Sequence, residues 1–169
     1  MTFSRDDIRA LVVEHVEAEN ARDLVRVMQT YADGAVFEDV PQGHCFTGKT
    51  AIAASYVERF EAFPGMTRAI DRLTVGDHGA VTEITMRGEQ TRTFAGLSPR
   101  PGEQRLRIAA HFAVGPEGLI TRETVYYDAL TVAIDLGILP DLASWPGRLW
   151  LLLARPQLIL RRLRGFLAR

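Results

Sequence analysis

Asp128 is the first candidate for chemistry, because its carboxylate stands where two patterns of residues meet. Residues 119–128 read as a strand, and a short helix pattern begins at Ala129. Apolar walls around a carboxylate would strengthen its hold on a proton, which suits a general acid/base. Asp is also a good helix cap. The sequence therefore predicts an acid/base, a cap, or both.

His111 is the second candidate, and its role depends on which face of a strand lines a cavity. Alternation over residues 107–112 places Arg107 and His111 on one face and Phe112 on the other. On a cavity wall, His111 could donate a hydrogen bond to a developing enolate while Asp128 takes the proton. On the outer face it would be solvated or paired. A pair between Asp128 and Arg107 would instead indicate hydrolysis of an epoxide.

Further candidates would bind a substrate rather than transform it. Tyr126 lies two residues before Asp128, on the same face of the predicted strand, and could present its hydroxyl to a ligand oxygen. Glu38 and Asp39 point to opposite sides of a short strand, so at most one faces inward and would be a second acid/base candidate. Aromatic side chains of the core or pocket wall complete the predicted site: Phe37, Tyr56 and Phe60.

Composition excludes several classes of protein. The chain has 169 residues, 47% of them hydrophobic and 24% charged, as in a folded domain of ordinary size. Its single Cys45 cannot form an internal disulfide, which favours a reducing cytoplasm, and no export signal is visible. His44 and Cys45 lack a third ligand, so no metal site is predicted. Without a glycine-rich nucleotide motif, no cofactor is expected either.

Charge is unevenly spread along the chain. Residues 147–169 carry six Arg and no acid, a charge of +6, so residues 1–146 carry −7. The acidic body argues against nucleic-acid binding. The basic, Leu-rich end is too short and too interrupted to span a bilayer. It could pack over a pocket or a subunit interface, lie on an anionic membrane surface, or bind a partner protein.

The elements that would position these side chains form an α+β domain. Helices are predicted from Ser4, from Asp23 with apolar spacing that extends to Tyr31, and over 50–63. A short strand over 35–40 is followed by a loop from Pro41 to Gly48. Four strands follow at about 66–75, 80–93, 104–114 and 119–128, joined by turns into an antiparallel meander. A helix over 129–136 ends at Gly137, and another helix candidate covers 145–169.

Three stretches of the sequence resemble SnoaL-like polyketide cyclases, a branch of the nuclear transport factor 2-like superfamily that includes ketosteroid isomerases and limonene epoxide hydrolase. Residues 36–41 lead to 46–52, which carry a Phe-x-Gly-x-x-x-Ile pattern; His111-Phe112 precedes 117–120; and 126–128 run into 135–140. The resemblance implies a cone-shaped α+β barrel, with a curved antiparallel sheet wrapped around the N-terminal helices. It also implies that a carboxylate at the end of the last strand, here Asp128, is the acid/base that removes an acidic C–H proton next to a carbonyl.

The resemblance leaves more than one function open. The first is a cofactor-independent cyclase or isomerase that acts on a hydrophobic polyketide- or steroid-like molecule. The second is a non-catalytic binding module or accessory protein of the same fold. The third is an epoxide hydrolase. Residues 87–96 lack the His that the family often carries there, which favours the second. The expected organisation is a pocket domain, 1–144, and a basic helical extension, 145–169. A cytoplasmic homodimer is expected, with peripheral membrane contact through 147–169.

Overall fold

The computed structural model describes residues 3–94, 96–99, 101–135 and 138–154. The chain divides into two compact units, 1–129 and 130–169, so the division falls ahead of the boundary expected after residue 144. Five helices and six strands occur within the described ranges. The predicted α+β class is confirmed.

Two helices open the first unit. Helix α1 (Arg5–Ala21) begins at Ser4, which forms a capping box with Asp7. It ends where Arg22 takes a left-handed conformation, with φ 54°. Helix α2 (Leu24–Thr30) is capped by the Asp23 side chain, as predicted. The helix stops before Tyr31, which the apolar spacing had included in it.

Strand β1 (Tyr31–Asp39) follows α2 directly and is longer than predicted. The segment predicted as a loop contains β2 (His44–Thr47), which pairs with β1 in antiparallel register, Phe37 opposite Phe46. The loop prediction was wrong there because a hairpin partner, rather than local apolar alternation, holds so short a strand in place. Helix α3 (Lys49–Ala62) comes next, in agreement with the sequence.

The predicted meander is confirmed as β3 (Thr67–Val75), β4 (Gly79–Gly88), β5 (Gln104–Val114) and β6 (Ile120–Tyr127). Strand β4 ends earlier than predicted, because the Gln90 side chain donates to the carbonyls of Arg92 and Leu97 at 2.8 Å and closes a local loop. The sheet order is β2-β1-β6-β5-β4-β3. Since β1 and β6 are parallel, the curved sheet is mixed, and β2 and β3 leave it unclosed rather than a full barrel.

The hydrophobic core of the first unit lies between helices α1 to α3 and one face of the sheet. The buried residues of α1 form a stripe at helical spacing, and β5 contributes Ala110 and Phe112 from alternate positions. These side chains are at most 2% exposed at Ile8, Val12 and Phe112. The face of β5 that carries His111 is therefore the outer face.

The remaining helices follow the sheet in sequence. Helix α4 (Ala129–Asp135) lies within the predicted 129–136, while the end expected at Gly137 falls outside the described residues. Helix α5 (Trp145–Ala154) begins where the extension was expected to begin, and residues 155–169 are also outside the described residues. None of the helices in the described ranges combines the length and apolar character needed to cross a membrane.

Candidate functional site

Five polar side chains meet in the core of the first unit and form what we term the inner polar cluster: His15, Thr30, Tyr31, Tyr56 and Glu123. The His15 Nδ1 atom lies 2.8 Å from Thr30 Oγ1, and its Nε2 atom lies 3.2 Å from the Tyr56 hydroxyl and 3.5 Å from Glu123 Oε2. The Tyr31 hydroxyl hydrogen-bonds Glu123 and lies 3.3 Å from the Tyr56 hydroxyl. All five residues are buried, so each polar group depends on the others.

The hydrogen-bond directions in the cluster are mutually consistent. The Thr30 hydroxyl donates to the Val27 carbonyl at 2.7 Å, so it accepts from the Nδ1–H of His15. Glu123 accepts from Tyr31 and from the Nε2–H of His15, and Tyr31 in turn accepts from Tyr56. This arrangement suits a protonated His15 facing an ionised Glu123.

The pKa shifts agree with that ionic pair. Burial alone would lower the pKa of His15, but the hydrogen bond and charge of Glu123, helped by the charge of Glu19, raise it overall. Burial alone would raise the pKa of Glu123, but hydrogen bonds from His15 and Tyr31 and the charge of His15 lower it. Burial and the negative charge of Glu123 raise the pKa of Tyr31 and Tyr56 well above the usual value, so both phenols stay neutral.

A second buried ion pair lies next to the cluster. Glu19 is one helical turn beyond His15 on α1, and its Oε2 atom lies 3.2 Å from Nε of Arg68 on β3. The two side chains are 8% and 5% exposed. Asn20 fixes the strand beside them, since it bonds both the backbone N–H and the carbonyl of Arg68. Two ion pairs, His15 with Glu123 and Glu19 with Arg68, therefore lie in the interior of the first unit.

A cleft opens above the aromatic part of this interior. We call it the Arg59 cleft, and its lining residues come from β2, α3 and nearby loops: Gln42, His44, Phe46, Ser55, Glu58, Arg59 and Phe94. The cleft has a volume of about 30 Å³, counted as the space that the centre of a water molecule can reach. This is enough for about two waters or one small polar group. This volume is small for the polyketide- or steroid-like molecule that the sequence predicts.

Arg59 is the most distinctive residue of the cleft. Its guanidinium carbon lies 4.4 Å from the ring centroid of Phe37 and 5.4 Å from that of Tyr56, which is the geometry of a cation–π contact. Among the described residues no carboxylate forms an ion pair with it. A guanidinium held on aromatic faces keeps its N–H edge available for an anion.

A buried carboxylate and a phenol lie beside the cleft. Asp39, at the end of β1, is 6% exposed and accepts a hydrogen bond from the backbone N–H of Gln42 at 3.2 Å. The Gln42 side chain donates to the Tyr127 hydroxyl at 2.9 Å. Burial raises the pKa of Tyr127 to about 12, and the charge of Asp39 adds to the rise while that of Arg59 opposes it. A neutral phenol beside a buried carboxylate can donate while the carboxylate accepts a proton.

Most of the polar residues predicted for the site lie instead on the outer face of the sheet or at its end. His111 and Asp128 are exposed, and Tyr126 is 50% exposed. Arg107 pairs with Glu83 at 3.7 Å, and Glu38 pairs with Arg122 at 2.9 Å. No bound substrate tests these assignments, so the roles of all five stay predictions.

The predicted aromatic residues lie on the inner side. Phe37 and Tyr56 are buried, lie beneath Arg59 and reach from the cleft to the inner polar cluster. Phe60 packs partly buried against the core and its ring centroid lies 5.7 Å from that of Tyr56. Their position beside the cleft is compatible with the predicted contact with a ligand, which stays a prediction.

Sequence reasoning missed His15, Tyr31 and Glu123 as site residues. The signal was present for two of them: His15 falls within the apolar stripe of α1 that includes Val12 and Val16, and Glu123 shares its strand parity with Val125. A titratable side chain on a buried face needs a partner, so each of these two positions could have been marked as one that needs a polar partner. Tyr31 gave no such signal, because the apolar spacing assigned it to a helix.

The fold agrees with the comparison with protein families. Residues 12–123 match the model of the SnoaL-like domain, and the chain therefore belongs to that family. Among curated proteins, none matches the chain.

Solved structures give the same fold at low sequence identity. A proposed SnoaL-like polyketide cyclase from Jannaschia sp. CCS1 is 18% identical, with a TM-score of 0.72 over 80% of this chain and 94% of the other. A proposed hydroxylase from Streptomyces galilaeus is 17% identical, with a TM-score of 0.71 over 81% of this chain and all of the other, 100%. A proposed polyketide cyclase from Xanthomonas campestris is 23% identical, with a TM-score of 0.66 over 78% and 98%. At these identities the likeness concerns the fold.

Proposed function

We propose that the first unit is a cofactor-independent acid/base enzyme of the cyclase or isomerase type, which removes a proton next to a carbonyl at the Arg59 cleft. The observation that carries the proposal is the buried Asp39 carboxylate beside the neutral Tyr127 phenol, joined through Gln42 to the cleft. Asp39 would take the proton, and Tyr127 would donate to the enolate oxygen as negative charge develops there.

Two other carboxylates compete for the role of base. Glu123 is held by His15 and Tyr31, and its lowered pKa makes it a weaker base than an ordinary carboxylate. Asp128, which the family resemblance favours, is exposed at the end of β6. Asp39 is buried, and it accepts a hydrogen bond from Gln42, which lines the cleft and also bonds the Tyr127 hydroxyl.

Solvent exchange of acidic protons tests the proposal. The wild-type protein is incubated in D₂O with a panel of small ketones and keto acids, and loss of the proton signal next to the carbonyl is followed by NMR. We expect faster exchange for at least one compound, and a loss of about 100-fold or more in Asp39→Asn. Asp33→Asn is the matched control, because Asp33 lies on the same strand, is 99% exposed and pairs with Lys49.

The same assay shows whether Asp39 or Asp128 is the base. If Asp128→Asn abolishes exchange while Asp39→Asn keeps it, the acid/base is Asp128 and the assignment to Asp39 is wrong. If no compound in the panel exchanges faster than in buffer, the enzyme proposal fails in favour of a binding module of the same fold.

A further inference from the structure

Arg59 carries an inference about the class of ligand. Its guanidinium rests on Phe37 and Tyr56 at the cleft, and it forms no ion pair with any carboxylate among the described residues. Exposed arginines at 72, 87, 92, 107 and 122 each have a carboxylate within 4 Å, whereas those at 9, 105 and 148 have none among the described residues. The contacts with Phe37 and Tyr56 therefore set Arg59 apart more than the missing ion pair does. They orient its guanidinium, whose charge also lowers the pKa of buried Glu123, and leave its N–H groups to be satisfied from the cleft.

The other lining groups define what accompanies an anion. Phe46 and Phe94 supply aromatic surface, whereas the Ser55 hydroxyl already donates to the Ile52 carbonyl at 2.8 Å, so Arg59 is left as the donor for an anion. The small volume of about 30 Å³ admits a compact polar head, with a flat apolar body lying against the aromatic rim. Guanidinium recognises planar carboxylate through two parallel hydrogen bonds.

We propose that the Arg59 cleft binds a small carboxylic acid that has a flat apolar body, with the carboxylate held by Arg59. Taken with the proposed function, on which this further step rests, the substrate is a carboxylic acid that also bears the reactive carbonyl. Ligand binding itself does not depend on the assignment of Asp39. The net charge of −7 on residues 1–146 would repel such an anion, so a local cation is required to hold it.

Glu58 gives the proposal a second, opposite test. It also lines the cleft, and its carboxylate competes with any anion that approaches Arg59. Removal of its charge should therefore strengthen the binding of an anion, whereas removal of the Arg59 charge should weaken it. Two variants on one helix, with opposite expected effects, exclude a general loss of folding as the explanation.

The experiment uses benzoate as the probe and benzamide as its neutral counterpart, titrated into the full chain and followed by NMR line shifts. Benzoate should bind at least about 10-fold more tightly than benzamide, and Arg59→Gln should remove that difference. Glu58→Gln should tighten benzoate binding about twofold. Arg9→Gln is the control for net charge, because Arg9 is exposed on α1 and does not line the cleft.

Equal binding of benzoate and benzamide, an unchanged affinity in Arg59→Gln, or an equal loss in Arg9→Gln would overturn the proposal. So would weaker benzoate binding in Glu58→Gln. The same titration with Asp39→Asn separates this inference from the enzyme function. In Asp39→Asn, benzoate binding should persist while proton exchange is lost. In the wild type, benzoate binding without accelerated proton exchange supports the ligand class and counts against the reaction. Exchange with neutral ketones alone counts against the ligand class and supports the reaction.

Discussion

Replacement of Glu123 by Gln tests whether the inner polar cluster contains an ionic pair. The variant keeps the shape and one acceptor oxygen but removes the charge that faces His15. Glu123 accepts from Tyr31 and from His15, and charge-assisted bonds are each stronger than neutral ones by about 1 kcal/mol. We therefore expect Glu123→Gln to lower the free energy of unfolding by about 2 kcal/mol at pH 6.

The dependence on pH makes this prediction specific. The raised pKa of His15 stabilises the fold below the ordinary value of 6.5, and this contribution is lost as the pH rises through the folded-state pKa. The lowered pKa of Glu123 stabilises the fold above the ordinary value of 4.5 and is lost as the pH falls. The pair thus contributes most between these two values. In Glu123→Gln, His15 loses the hydrogen bond and charge that do most to raise its pKa, while the burial that lowers it remains, so the variant should gain stability as the pH rises.

Urea unfolding between pH 5 and 8 measures the effect, followed by near-ultraviolet circular dichroism of tyrosine. All four Tyr lie in the first unit and both Trp in the second, so the tyrosine signal reports on the unit that holds the cluster. Glu38→Gln is the control, since Glu38 and Arg122 are 38% and 47% exposed and their pair is worth at most about 1 kcal/mol.

Two results would refute the reasoning about the pair. One is a loss in Glu123→Gln at pH 6 no greater than that in Glu38→Gln. The other is parallel pH profiles for the wild type and Glu123→Gln, because the predicted difference narrows toward pH 8 only if His15 is charged in the native protein.

Two further predictions concern other parts of the chain. Glu19→Gln leaves Arg68 buried without a counter-ion and should lower the free energy of unfolding in urea by about 3 kcal/mol. Replacing both Glu19 and Arg68 by Met should recover most of that loss, and equal losses in the two variants would contradict the prediction. The charge of +6 on residues 147–169, with Trp145 76% exposed on α5, predicts sedimentation with vesicles that contain phosphatidylserine and none with pure phosphatidylcholine. Replacing the six Arg by Gln should abolish it, and equal sedimentation with both vesicles would oppose electrostatic binding.

The sequence predicted the fold well because the signals that specify it are local. Ser4 and Asp23 mark helix starts through side-chain caps, and turn residues separate the four strands of the meander. Strand β2 was missed because its pairing with β1, not its own pattern, maintains it. The parallel pairing of β1 with β6 likewise joins segments far apart in sequence, and no local signal announces it.

The site was harder to predict, because its members come from separate elements. Glu38 and Asp39 were predicted to include at most one carboxylate that faces inward, and Asp39 is the buried one. Alternation along a strand shows which residues share a face but not which face is covered. The predicted role of His111 therefore depended on which face of β5 lines a cavity. His15 on α1 and Glu123 on β6 come from separate elements, and only the structure shows that their side chains meet.

The position of Cys45 offers a practical benefit. It is the single cysteine of the chain, it is exposed, and it lies on β2 between His44 and Phe46, which line the Arg59 cleft. Its neighbour across the strand pair is Glu38, on the outer face. A fluorophore or spin label can therefore be attached to the native thiol without mutagenesis, and it would report movement of that wall without occupying the space where a ligand binds.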